Sequence, residues 1–170
     1  MDEILVDFKQ ESIELTESLI AILEDIEMDF SKVERLDEYG QVVDRIMGGA
    51  KNVAMFSDNP DYINNIADYA EICKLVGYKG SQIEGNESFF NIVVGLLLDA
   101  TEMQLEILNA LGTEKEKSIK EHLNETFLDR LKWVSNKFDE NVRGSLSLDK
   151  KTSTKASQSD IDDLLKNFGL

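Results

Sequence analysis

In the stretch LDEYGQVVDRIM a carboxylate and a carboxamide stand four residues apart, Asp37 and Gln41. Residues at that spacing share one side of a helix. By the helical period they lie roughly 90–130° from the centre of the apolar stripe of the same segment. Gly48, three turns on from Asp37, falls on the same flank, so the pair projects beside a surface with little side-chain bulk. Glutamine is no base near neutral pH. Its amide both donates and accepts, and so can hold one water in line with a phosphorus atom, in a chemistry where positioning is most of the catalysis. The same two residue types are also what an ordinary solvated helix flank carries. No Gly-rich phosphate loop, no metal-ligand cluster and no Cys/His or Ser/His arrangement accompanies them. Any reaction here must therefore draw its metal ion and its reacting group from a partner.

A second stretch that invites contact closes the sequence, ASQSDIDDLLKNFGL. Ile161, Leu164, Leu165 and Phe168 recur on one helical face. Asp160, Asp162 and Asp163 gather near the start, where carboxylates suit the helix dipole. Ser159, with Asp162 three residues on, has the form of an N-cap. A chain end without a docking role tends to fray into polar residues; this one is amphipathic.

The elements that must position these residues follow from composition and period. The sequence has 170 residues, 42% hydrophobic and 31% charged, enough for one domain with a core and an appendage. Its net charge is −16, and residues 1–140 carry −17 of it, thirteen basic against thirty acidic side chains. Nucleic acid and anionic membrane surfaces are poor partners for such a body, and a basic protein surface is a good one. Cys73, the one cysteine, permits no intrachain disulfide and reads as a small core hydrophobe. The acidic start MDEILVDFKQ is unlike a secretory signal, and the run IVVGLLL is too short to span a bilayer, so a cytoplasmic protein is expected.

Helical periodicity dominates, and the expected fold is all-α, an antiparallel bundle of about five helices. Leu5, Phe8, Ser12, Leu15, Leu19, Ile22 and Ile26 mark a first long amphipathic helix. Ser31 with Glu34 has the capping-box form, so a second helix is expected from near Ser31, with an inward stripe rich in small residues. Asn59-Pro60 opens a third that runs to Gly77 and Gly80. The most apolar stretch makes a fourth, ended by Gly112. Thr113 with Glu116 offers another capping box for a fifth through Ile119, Leu123, Phe127, Leu131, Val134 and Phe138. His122 beside that stripe reads as structural or solvated. From about Asn141 the pattern collapses into Ser, Thr and Lys, so the chain divides into a bundle over 1–140, a flexible linker over 141–156 and a terminal peptide over 157–170. The polar stretch 141–158, roughly eighteen residues, would reach on the order of 20–25 Å. The short terminal helix is marginal alone and is expected to fold on docking.

Both stretches resemble one family. LDEYGQVVDRIM is similar to the active-site helix of the CheZ-type chemotaxis phosphatases, an Asp, three residues, a Gln, then Val-Ile-x-Arg-Met-Met; Asp37, Gln41, Val42, Val43, Arg45, Ile46 and Met47 match or nearly match it. ASQSDIDDLLKNFGL resembles the family's C-terminal peptide, and similar peptides begin the flagellar switch protein FliM. In both settings the peptide binds the response regulator CheY. The resemblance, covering residues 36–47 and 157–170, implies a phosphatase acting on the aspartyl-phosphate of CheY. It implies that Gln41 orients the attacking water, that Asp37 engages the partner's lysine, and that Mg²⁺ belongs to the partner. Ser157, Gln158, Ile161, Asp162, Asp163, Leu164, Leu165 and Phe168 would form the partner-binding peptide, whose tether raises the local concentration of the catalytic face.

The family is longer, carries its motif late and dimerises into a four-helix bundle, whereas here three helical stretches follow the motif. A homodimer and a monomeric bundle both stand as expectations. The body also resembles a histidine-phosphotransfer (HPt) domain, in FKQESIELTESLIAILEDIE and in DRIMGGAKNVAMF. Asp44 occupies the place of the phosphorylatable histidine, so phosphotransfer cannot occur there. A non-catalytic CheY-binding adaptor on such a bundle is the alternative function.

Overall fold

A computed structural model describes residues 2–116, 118–142 and 161–170. The first helix, α1 (Glu3–Ile26), turns Phe8, Ser12, Thr16, Leu19, Ile22, Leu23 and Ile26 inward, the face its period demands. Leu15 is only half-buried, and the interior position goes to Thr16. A 3-10 turn, Phe30–Lys32, separates α1 from α2 (Arg35–Ala54). Ser31 does not start α2. Asp29 caps the 3-10 turn, its carboxylate accepting from the Ser31 N–H at 3.2 Å, and α2 begins three residues later than the Ser31–Glu34 pattern suggests.

Helix α3 (Pro60–Gly80) starts at the expected proline, and α4 (Glu87–Ala110) opens on Asn86, whose side chain accepts from Phe89 N–H at 3.0 Å. Gly112, with φ +74°, follows the end of α4 in the left-handed conformation a glycine adopts freely.

These four helices close a ring in which each runs antiparallel to its neighbours. Along α1 and α2, Arg35 pairs with Asp25 and Arg45 with Glu11. Along α2 and α3, Lys74 pairs with Asp44 and Lys51 with Glu71. Tyr62 and Tyr69 of α3 donate their hydroxyls to the carbonyls of Ile107 and Ala100 on α4, at 3.0 and 2.6 Å. Lys9 of α1 reaches the carbonyls of Asn109 and Leu111 at the end of α4, and Thr16 accepts from Gln104. Tyr39 spans the interior from α2 to Thr101 of α4 at 2.9 Å. Thr101 gives its own hydroxyl hydrogen to Leu97 O, so Tyr39 is the donor in that pair. The fold is an all-α, up-and-down four-helix bundle closed within one chain.

The expected fifth helix is two. A single turn, α5 (Ile119–His122), is broken at Leu123 from α6 (Glu125–Asn141). Asn124 caps α6, accepting from Phe127 N–H at 2.7 Å. Thr113 and Glu116 form a turn rather than a helix start, with Glu116 accepting from Gly112 N–H. Helix α6 lies along α4 outside the ring, through Phe89 against Phe138 and Trp133 and through Arg130 with Asp99. Asn141, placed in the linker by composition, is the last residue of α6, and its carbonyl accepts from Glu84 N–H at 2.9 Å. Val142, also in the expected linker, is buried and pairs with Ile83 in an isolated antiparallel bridge, and residues 143–156 lie outside the described residues. A last helix, α7 (161–167), rests on the body.

Candidate functional site

The face that carries Asp37 and Gln41 is set by an unusually close approach of α2 and α3. A β-carbon at Gly40 would lie 2.8 Å from the Tyr78 ring, and one at Gly77 would lie 2.6 Å from the Tyr39 ring. The two helices thus exchange aromatic rings into each other's glycines: Tyr39-Gly40 on α2 faces Gly77-Tyr78 on α3. Such spacing leaves no slack for sliding. The backbone under Asp37 and Gln41 is accordingly fixed by the core.

Asp37 and Gln41 are both exposed on this face. Gln41 Nε2 donates to Asp37 Oδ2 at 2.7 Å, a short bond of the kind a charged acceptor makes. One amide hydrogen is therefore committed to the carboxylate. Among the described residues no other partner engages the amide, so its carbonyl oxygen and second N–H face outward. A water held there would donate to the oxygen and keep a lone pair for attack. The carboxylate and amide are brought together as the four-residue spacing suggests.

Three side chains that sequence reasoning missed complete the surroundings. Tyr78 covers Gly40 beneath the pair. Burial, and after it the carboxylates of Asp44 and Asp37, pushes the Tyr78 hydroxyl above its ordinary pKa. Lys74 Nζ sits 3.2 Å from Asp44, so that carboxylate is engaged by a cation from the next helix. Glu11 of α1 holds Arg45 at 3.0 Å on the other flank. At Gly48 an added β-carbon would meet nothing within 4 Å, so the flank beyond Gln41 is open. Among the described residues no group of three or more His, Cys, Asp or Glu side chains converges to hold a metal. No helix there is long and apolar enough to cross a membrane.

The terminal peptide has a different environment. Ile161, Leu164, Leu165 and Phe168 are 2%, 7%, 3% and 7% exposed, and they belong to the same apolar cluster as the bundle interior. Leu165 roofs a small apolar cavity between α3, α4 and α6 that Cys73, Leu97, Leu123 and Leu131 help to line. Asn167 meets Asp68 of α3 at 3.5 Å, and Lys120 of α5 donates to Gly169 O at 3.3 Å. Burial raises the Asp68 carboxyl and pushes the Cys73 thiol up to about 12. Asp162 and Asp163 face solvent, and Ser157 and Gln158 lie outside the described residues. The anchors expected to await a partner are covered by this chain's own body.

In comparisons with known proteins, no family model, curated protein or solved structure matches the chain.

Proposed function

We propose that the chain is a phosphatase for the aspartyl-phosphate of a CheY-type response regulator, working in cytoplasmic chemotaxis signalling upstream of the flagellar switch. The observation that carries this reading is the exposed, hydrogen-bonded Asp37–Gln41 pair on a rigid helix face open at Gly48. The regulator brings the phosphorylated aspartate and Mg²⁺, which neutralises charge on the phosphoryl oxygens when bound. This chain brings order to the water. Asp37 fixes the rotamer of Gln41 before docking, so little freedom is lost at the moment of reaction. Gln41 then accepts a hydrogen from one water and aims its oxygen at phosphorus. The new P–O bond forms as the bond to the aspartate oxygen breaks, and inorganic phosphate and a free carboxylate leave. On docking, a lysine of the regulator takes up the Asp37 carboxylate. The acidity of the body favours the encounter wherever the regulator's surface is basic.

The test is the release of phosphate from the phosphorylated regulator with Mg²⁺ present. The full chain should accelerate it, and Gln41→Ala should abolish about a hundredfold or more of the acceleration while leaving binding largely intact. Equal rates with the two proteins would remove the catalytic reading.

A second reading, a non-catalytic CheY-binding adaptor on an HPt-like bundle, is favoured by one observation. Asp44, at the histidine position, is engaged by Lys74 in an ordinary surface ion pair. Binding without acceleration is the result that would select it.

A further inference from the structure

The terminal helix has one apolar face, and that face is in use. Ile161, Leu164, Leu165 and Phe168 are the anchors that the family resemblance assigns to the regulator, and all four are buried in the body's apolar cluster, with Leu165 over the cavity between α3, α4 and α6. The opposite face carries Asp162, Asp163 and Lys166, all exposed. Polar contacts at the edges fit the same seating: Asn167 with Asp68, and Lys120 with the Gly169 carbonyl. A single row of side chains cannot fill two surfaces at once.

We propose that residues 161–170 are a self-docked latch, held in the groove formed with Ile72, Cys73, Val76, Leu97, Leu123 and Leu131, and that regulator binding requires this helix to leave the groove. The identity of the competitor rests on the function proposed above; the seating in the groove does not. The latch lowers the apparent affinity of the tail by the fraction of chains in which it is released. It also makes the vacated groove a site for any amphipathic helix of similar pattern, including the tail of a second copy. The acidic outer face keeps the docked helix soluble and marks its inward side as the adhesive one.

Hydrogen exchange on the full chain, read by mass spectrometry, tests the seating first. Without regulator, the amides of 161–168 should be protected well beyond a free peptide. Leu123→Asp places a charge beside Leu165 at a half-buried position outside the four-helix ring. It should release 161–168 and deprotect 72–76 while leaving α1 and α2 unchanged. A wild-type tail that exchanges like a free peptide overturns the latch.

The regulator is then added. Leu123→Asp should bind it about tenfold more tightly than wild type does, as expected for a tail released from a mostly docked state. In the wild-type complex the groove amides over 72–76 should lose protection. Equal affinities, or a groove still protected in the complex, overturn the competition. A protected tail together with no regulator binding by either chain overturns the assigned partner and leaves a permanently docked helix. If α1 and α2 also lose protection in Leu123→Asp, Lys120→Glu, which removes the hydrogen bond to the Gly169 carbonyl, carries the same expectations at about threefold.

Discussion

The face on α2 and the helix at the C-terminus are the two candidate contact surfaces of this chain, and they are held in opposite ways. Asp37 and Gln41 are exposed, but the backbone beneath them is clamped by two tyrosine rings set into two glycines. The terminal helix is buried, but it joins the body along one short row of side chains at the end of a long connection. Exposure and mobility are thus separable. The polar pair is accessible and rigid, which suits positioning a small molecule. The apolar row is covered and releasable, which suits exchanging one surface for another.

Two leucines that line the same cavity sharpen this contrast most. Leu131 comes from α6 and Leu165 from α7. Leu131→Ala should cost about 2–5 kcal/mol of global stability, the usual range for a buried leucine in a cooperative core. Leu165→Ala should lower it by less than about 1 kcal/mol, because a locally unfolding segment takes little of the global transition with it. Denaturant unfolding of both variants decides. Equal losses would make the tail part of the core and erase the distinction.

The clamp itself comes next. Gly77→Ala puts a methyl group 2.6 Å from a Tyr39 ring carbon, with Gly40 N at 3.5 Å behind it. Overpacking of this kind should cost about 1–3 kcal/mol, seen as a lower midpoint in thermal unfolding. A neutral outcome would show that α2 and α3 can shift apart, and the face would then be softer than argued. Tyr39→Phe removes the bond to Thr101, and the hydroxyl's contact with the Cys73 thiol, in the interior and should cost about 1 kcal/mol.

The smallest effect belongs to the surface of the same face. Asp44→Asn breaks an exposed ion pair worth no more than about 1 kcal/mol, so stability should hardly move. The Tyr78 hydroxyl should register the change. Its pKa is raised first by burial and then by the carboxylates of Asp44 and Asp37, so removing one negative charge should lower its titration midpoint while leaving it above the ordinary value. Ultraviolet titration, with Tyr78→Phe as reference, measures this. No movement would place Asp44 too far from the ring to matter.

Much of the bundle was legible in the sequence, because a helix that buries one face must repeat its apolar residues at the helical period. The stripes of α1 to α4 did so. The break between α5 and α6 was not read, because Ile119, Leu123 and Phe127 keep the period straight across it; the cue was Asn124, a good cap lying inside an apparently continuous stripe. The interior polar residues Thr16, Thr101 and Gln104 gave no signal, since their partners come from other helices. The Asp37–Gln41 contact was legible because it is local. The Tyr78 and Lys74 contacts were not, although the mirrored pairs Tyr39-Gly40 and Gly77-Tyr78 could have suggested that α2 and α3 interlock. The apolar row of the tail was plain from its spacing. An amphipathic helix, however, does not say whether its counterpart is foreign or its own, and only the folded chain places that row on the body.

The open space at Gly48 has a consequence for what the architecture requires. A β-carbon there touches nothing, and a glycine inside a helix is worth about 0.5–1 kcal/mol less than an alanine. Folding alone would therefore prefer a methyl group at this site, and a larger side chain would begin from open space there. Such a graft would act as a fence post beside Gln41: it would leave the molecule as sturdy as before and bar any visitor that needs to lie flush against the helix.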